Sequence, residues 1–279
     1  MGRSLERVSL SGDSNNEATA TPVSSSQAAQ IQPLVLVTES EGVLSLGLNR
    51  PDKRNALSLA LVDQLRQAIE TRRNRPAVLL LTSTTPGIFI AGADIGELHD
   101  RGEEEAFQAI NVELFNAIAR WRWPTIAVID GPAFGGGLEC ALACDLRVAS
   151  PKARFAQPEL GLGILAGAGG NWRLPELVGQ GIARRMLYLG EVLDASTGYS
   201  VGLIDGLFED PLTAAIAWTN VIRSKPWRAL EITKLALATG EHASTRVVDI
   251  LGQAILFESE EKRARMQRFG RPLAPDPGF

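Results

Sequence analysis

The sequence predicts an α/β fold in which strand, strand and helix succeed one another in repeating turns, followed by a mostly helical region. Three observations predict it. "AVLLLTS" (77–83) and "PTIAVIDG" (124–131) are short, unbroken apolar runs, the mark of parallel strands covered on both faces. Segments with helical periodicity lie between such runs. From about residue 178 onward the pattern turns almost wholly helical. A chain of 279 residues has material for one large domain or two modest ones. We divide it into an N-terminal extension (1–30), a strand–helix core (31–200) and a C-terminal helical region (201–279).

Taken in order, "SGDSNNEATATPVSSSQAAQ" (11–30) offers almost nothing to bury, so residues 1–30 are expected to be disordered. "PLVLVTES" (33–40) reads as a strand. In "EGVLSLGLNRP" (41–51), Leu44, Leu46 and Leu48 alternate with Ser45, Gly47 and Asn49, so the two segments form a hairpin turning at Glu41-Gly42. "NALSLALVDQLRQAIETRRN" (55–74) is an amphipathic helix. After the apolar run at 77–83 come "FIAGADIGEL" (89–98) and a second long helix over "EEEAFQAINVELFNAIARW" (103–121). The run at 124–131 leads into a glycine-rich stretch. "DLRVAS" (145–150) and "ARFAQPE" (153–159) are two further short strands, and "VVDILGQAILFESEEKRARMQRF" (247–269) is the last long helical stretch, with an apolar face available to a partner subunit.

Composition excludes several classes. A net charge of −4 argues against nucleic-acid binding by phosphate neutralisation. No apolar run reaches the roughly 18 residues of a membrane span. "MGRSLERVSL" is followed by no apolar segment, so no signal peptide is expected, and the acids at Glu6, Asp13 and Glu17 do not suit a transit peptide. Two cysteines one helical turn apart, Cys140 and Cys144, are too few for a zinc site or a disulfide framework. They are expected to be reduced core residues, which suits a cytoplasmic location.

The segment "AFGGGLECALACD" (133–145) raises a question. It places one carboxylate, Glu139, a turn into an otherwise apolar helix that three glycines precede. A strand running into a glycine turn and then a helix presents unpaired N–H groups at the helix start, and glycine lets a ligand come close. The pattern occurs twice, at Gly92-Ala93 in "FIAGADI", where Asp94 is placed to cap the next helix, and at Gly135–Gly137. One N–H from each turn can converge on a single oxygen as an oxyanion hole. Neither turn matches a phosphate loop or a dinucleotide fingerprint. A second isolated acid, Glu159, stands in "FAQPELGLGILAGAGGNWRLP" (155–175). Burial raises a carboxyl pKa, and two acids in one cavity can divide the parts of proton donor and acceptor. From the residues alone the alternatives stay open. The glycines equally serve helix-on-strand packing, and each glutamate equally serves as a cap or a partner for Arg147, Arg154 or Arg173.

"IAVIDGPAFGGGLECALACDL" (126–146) resembles the signature of the enoyl-CoA hydratase/isomerase (crotonase) family. "LNRPDKRNALS", "FIAGADIGEL", "FAQPELGLG", "GAGGNWRLPELVG" and "FESEEKRARMQRF" resemble further family segments in the right order, so that the likeness runs over roughly residues 33–270. The resemblance implies a crotonase-like spiral of ββα turns with a C-terminal helical trimerisation region, assembled as a homotrimer or homohexamer. It implies an acyl-CoA thioester substrate, with coenzyme A part of the substrate and no separate cofactor or metal. Carried over residue by residue, it places the oxyanion hole at the N–H groups of Ala93 and Gly136 and the two hydratase acids at Glu139 and Glu159. In that reading Glu139 deprotonates water and Glu159 exchanges the Cα proton, though which acid does which stays open.

The same resemblance places Ala91, Asp94 and Ile95 along the pantetheine path, gives Gly167 an N–H near the water or Glu159, and sets Lys53 and Arg54 to meet CoA phosphates. It brings Phe257 and Lys262 towards the CoA of a neighbouring subunit. There are departures: Ala166 replaces a frequent Pro, Gly96 a frequent Lys, and Trp172 a frequent Gln, as a core aromatic or a narrowing of the acyl pocket. His99 and His242 read as surface or structural residues. The function expected is hydration of a trans-2-enoyl-CoA. The alternatives are an enoyl-CoA delta-isomerase or acyl-CoA hydrolase on the same scaffold, or a non-catalytic acyl-CoA binder.

Overall fold

The structure, a computed structural model, describes residues 32–99, 108–239 and 260. The expected extension 1–30, the first residues of the second long helix, the last helical stretch at 247–269, and Phe257, Lys262 and His242 lie outside the described residues. The body begins at Pro33.

Strands β1 (Val35–Ser40) and β2 (Val43–Leu48) form the expected antiparallel hairpin. Its turn takes Glu41 and Gly42 to φ 47° and 79°, the left-handed pair that matches the twist of a two-residue hairpin. Helix α1 (Leu59–Glu70) starts where Ser58 accepts from the N–H of Leu61, and it buries Leu61, Val62, Leu65 and Ile69. β3 (Val78–Ser83) is followed by the short α2 (Ile95–His99) and by α3 (Ile110–Ala119). β4 (Thr125–Ile129), β5 (Pro132–Phe134), α4 (Gly136–Leu142), β6 (Leu146–Ala149) and β7 (Arg154–Ala156) come next. A 3-10 turn at Glu159–Leu162 leads to α5 (Gly170–Leu189), which bends at Gly179. β8 (Leu193–Asp194), α6 (Ala195–Ser200), β9 (Gly206–Leu207), α7 (Pro211–Arg223) and α8 (Trp227–Thr239) complete the described chain.

Six strands make a sheet in the order β1-β2-β3-β4-β6-β9, and β5-β7-β8 make a smaller one. Successive turns each give a strand to the large sheet, a strand to the small sheet and then a helix. β4, β5 and α4 form one such turn, and β6, β7 and α5 the next. The preceding turn follows the same path, because Ile90, after β3, bridges to Ala133 of β5. β5 is not anticipated from sequence, since three residues between an apolar run and three glycines carry no periodicity. The helical stretch after 178 is interrupted by β8 and β9, two-residue strands too short to show an alternation.

Residues alternate between two cores, as a period of two requires. Leu79, Leu81, Ala127 and Ile129 face the main cluster with α1 and α3. Val78, Leu80, Ile126 and Val128 face a second cluster with Ala215 of α7. The central strands are thus covered on both faces, which is why they read as unbroken apolar runs. β9 pairs with β6, so residues beyond 200 extend the same sheet. Cys140 and Cys144 are buried and unbridged. Burial raises both thiols, that of Cys144 to about 12, which leaves them unreactive. Among the described residues no helix is long and apolar enough to cross a membrane.

Candidate active site

Three consecutive turns of the spiral bring the segment after their small-sheet strand to one place. These are Ala91–Ala93, Phe134–Gly136 and Pro158-Glu159, and together they line a cavity of about 670 Å³. Leu162, Ile164, Leu165, Gly167 and Ala168, with residues of helices α2 and α3, line it as well.

The glycines before α4 do separate work. Gly135 sits at φ 51° ahead of the helix. A Cβ on Gly137 would lie 2.1 Å from the carbonyl oxygen of Ile90, so the helix packs on the preceding turn only because that atom is missing. Gly136 is the first residue of α4 and lines the cavity. At that position the backbone N–H has no partner within the helix. Ala93 forms a parallel bridge with Leu57. The bridge uses the carbonyl of Gly92 and the N–H of Asp94, at 2.9 and 3.0 Å. In a parallel ladder this leaves the Ala93 N–H on the opposite side, where the residue lines the cavity.

Both glutamates line the cavity as well, and both are buried, at 4 % and 8 % exposure. Glu139 Oε1 accepts from the N–H of Ala168 at 2.7 Å and from that of Gly170 at 3.0 Å. Burial pushes the Glu139 carboxyl up, against the pull of these amides and of the positive charge on Arg173. Burial, and secondly the neighbouring Glu139, raise Glu159 to about 7. When Glu159 is ionised and the nitrogen of Gln157 is turned that way, the Gln157 amide donates to both Glu159 oxygens at 3.0 Å.

Among the described residues neither glutamate is in an ion pair, and the three arginines that stood as alternative partners are engaged elsewhere. Arg147 pairs with Asp205 and donates to the carbonyls of Leu203 and Cys144. Arg154 donates to the carbonyls of Pro151 and Ala153. Arg173 donates to Asn116 Oδ1 and to the carbonyl of Ala168. Two acids, both raised by burial, thus face one space that backbone N–H groups also border, which is an arrangement for moving protons beside a polarised carbonyl.

The remaining expected residues divide. Ala91, Ile95 and Gly167 line the cavity. The Gly167 N–H, expected near the water or Glu159, instead donates to the carbonyl of Leu165 at 2.8 Å. Asp94 is not among the lining residues. It caps α2 through the N–H of Gly96 and pairs with Arg50 at 2.7 Å, and the bond to Arg50 holds its carboxyl below the usual range. Lys53 and Arg54 are exposed and outside the lining. Trp172 is neither core nor pocket wall: it is 44 % exposed, with the Arg173 guanidinium 5.2 Å from its ring centroid. His99, read from sequence as a surface or structural residue, lines the cavity, as does Asn111, which no motif marks. The one signal for Asn111 is a polar residue directly between two β-branched apolar ones, Ile110 and Val112.

Residues 38–269 match the model of the enoyl-CoA hydratase/isomerase family. The chain is 34 % identical over 246 residues to the crotonyl-CoA hydratase of Syntrophomonas wolfei, covering 84 % of this chain and 94 % of that one. It is 34 % identical over 232 residues to the short-chain-enoyl-CoA hydratase of Clostridium acetobutylicum, covering 81 % and 87 %. The crystal structure of enoyl-CoA hydratase from Bacillus anthracis superposes with a TM-score of 0.81 at 28 % identity, over 85 % of this chain and 95 % of that one. The chain belongs to the enoyl-CoA hydratase/isomerase family and has its crotonase fold. Within that family it is similar to the hydratases.

Proposed function

We propose that the protein adds water across the 2,3 double bond of a trans-2-enoyl-CoA thioester. The observation that carries the reading is the pair of glutamates on one cavity, both raised by burial, of which Glu139 alone accepts two amide hydrogen bonds from a neighbouring segment. Glu139 accepts two amide hydrogen bonds and feels Arg173, so its carboxylate is the better supported of the two. Glu159, raised to about 7, is the better supported proton donor.

In this reading the thioester oxygen lies between the N–H groups of Ala93 and Gly136. Glu139 takes a proton from water as the water oxygen bonds to C3. The π electrons move onto the thioester oxygen, where the two N–H groups and the start of α4 stabilise the charge. Glu159 then delivers its proton to C2. A proton passing from Glu139 back to Glu159 restores the starting state. The pantetheine runs past Ala91 and Ile95, and the CoA phosphates reach towards Lys53 and Arg54. The chemistry asks for no cofactor beyond the coenzyme A that arrives with the substrate. We also propose a homotrimer or homohexamer, supported by exposed leucines such as Leu189 and Leu237, and a cytoplasmic location, supported by the unbridged cysteines.

A panel of esters tests the reaction class. Trans-2-enoyl-CoA should lose its conjugated-thioester absorbance and yield the 3-hydroxyacyl ester without release of thiol. Conversion of a 3-enoyl-CoA alone would make the protein an isomerase. Free CoA would make it a hydrolase. Binding with every ester unchanged would make it a non-catalytic binder.

A further inference from the structure

Among the residues that line the main cavity, His99 and Asn111 are the polar side chains besides the two glutamates, and the reaction proposed above uses neither. Asn111 stands on α3 between Ile110 and Val112, which also line the cavity. Its Oδ1 is buried and has no hydrogen-bond partner. Its Nδ2 lies 3.9 Å from where a Cβ on Gly136 would sit, so the amide is next to the start of α4. A buried carbonyl oxygen without a partner loses its hydration and gains nothing from the protein in return. Leucine would fill this place at no such loss, and the neighbouring positions are apolar. Oδ1 is closed off as the side chain stands, so the amide meets whatever fills the cavity through Nδ2, or through Oδ1 once the amide has turned over.

We propose that Asn111 selects an acyl group that carries a hydroxyl close to the thioester, at C4 of the enoyl chain. The inference rests on the hydratase reading and names its substrate class. A hydroxyl suits the site because it is both donor and acceptor. It can accept from Nδ2, or donate to Oδ1 after a half-turn of the amide that exchanges the two ends. The position follows from the neighbour: Gly136 is a proposed contact of the thioester oxygen, so the amide beside it reaches the first carbons of the chain rather than its far end. Ile95, Leu98 and Ile110 make that wall apolar apart from His99. A site that hydrogen-bonds a substrate hydroxyl discriminates strongly against the analogue that lacks it.

The test compares 4-hydroxybut-2-enoyl-CoA with but-2-enoyl-CoA, which differ only in the hydroxyl, as substrates of the full chain and of Asn111→Leu. Asn111→Val is made alongside in case the leucine does not fit. Wild type should show the higher kcat/KM with the hydroxylated ester. The variant should lower the ratio of the two kcat/KM values by about tenfold or more, with a melting temperature equal to or above wild type. A ratio unchanged within twofold overturns the proposal. So does an equal fall on both esters, which would assign Asn111 to the water or to the pantetheine that both share. If wild type hydrates neither ester, the hydratase reading fails, and the inference is then judged on the affinities of 4-hydroxybutanoyl-CoA and butanoyl-CoA. A wild-type preference for the first that Asn111→Leu removes supports it, and equal affinities overturn it.

Discussion

A Cβ on Gly135 would fall 2.7 Å from Oε1 of Glu159. The glycine before α4 thus shapes the room for the acid contributed by the next turn of the spiral. Gly135→Ala should move the Glu159 carboxyl while leaving the fold in place, because the side chain can yield. The backbone at φ 51° and ψ −124° lies outside the left-handed helical region and adds about 1–3 kcal/mol of strain for a residue with a Cβ. We expect the melting temperature to fall by a few degrees and kcat for enoyl-CoA hydration by about tenfold or more. Wild-type kcat in a folded Gly135→Ala protein would show that Glu159 need not stand where it does.

Gly137 makes a different demand. Its missing Cβ would meet backbone, the Ile90 carbonyl, which cannot turn aside. Gly137→Ala should cost about 3 kcal/mol or more, against less than about 0.5 kcal/mol for Gly161→Ala, where nothing lies within 4 Å. Urea denaturation of the two variants checks this, and similar midpoints would contradict it.

The raised Glu159 carboxyl links folding to pH. Its folded value of about 7 lies above the reference value of 4.5. The folded state therefore keeps a proton that the unfolded chain releases, and stability falls as pH rises from about 4.5 to about 7. Glu159→Gln removes that loss. At pH 8 the variant should be more stable than wild type by on the order of 1–3 kcal/mol, and the gap should close by pH 4. A gap of the same size at both pH values would contradict the shift.

The same groups set the rate profile. In the mechanism we propose, hydration needs Glu159 protonated and Glu139 ionised, so kcat/KM should fall above about pH 7. It should also fall at low pH, along a limb that burial of Glu139 displaces above the ordinary carboxylate range. The two limbs belong to the coupled pair rather than to either acid alone. A profile flat from pH 5 to 9 would remove both glutamates from the chemistry.

Much of this was legible in the chain. The hairpin at Glu41-Gly42, α1 and the buried strands declare themselves through period and turn residues. Glu139 stands out because nothing else in its helix is charged. What escaped notice depends on contacts distant in sequence. Which arginine meets which acid is decided by helix packing, and Arg173 turns to Asn116, 57 positions away. The cradle for Glu139 comes from Ala168 and Gly170, whose N–H groups look like those of their neighbour Gly167 until the backbone path is known. Asn111 and His99 join the cavity wall through the placement of α2 and α3, which no local pattern encodes.

The central claim is that the charge on Glu139 drives the chemistry, and Glu139→Gln tests it most directly. The glutamine oxygen can still accept from Ala168 and Gly170, so the variant keeps the geometry and loses the base. Measured with trans-2-butenoyl-CoA on folded protein, kcat/KM for hydration should fall by about 10²-fold or more. A value within tenfold of wild type would contradict the account.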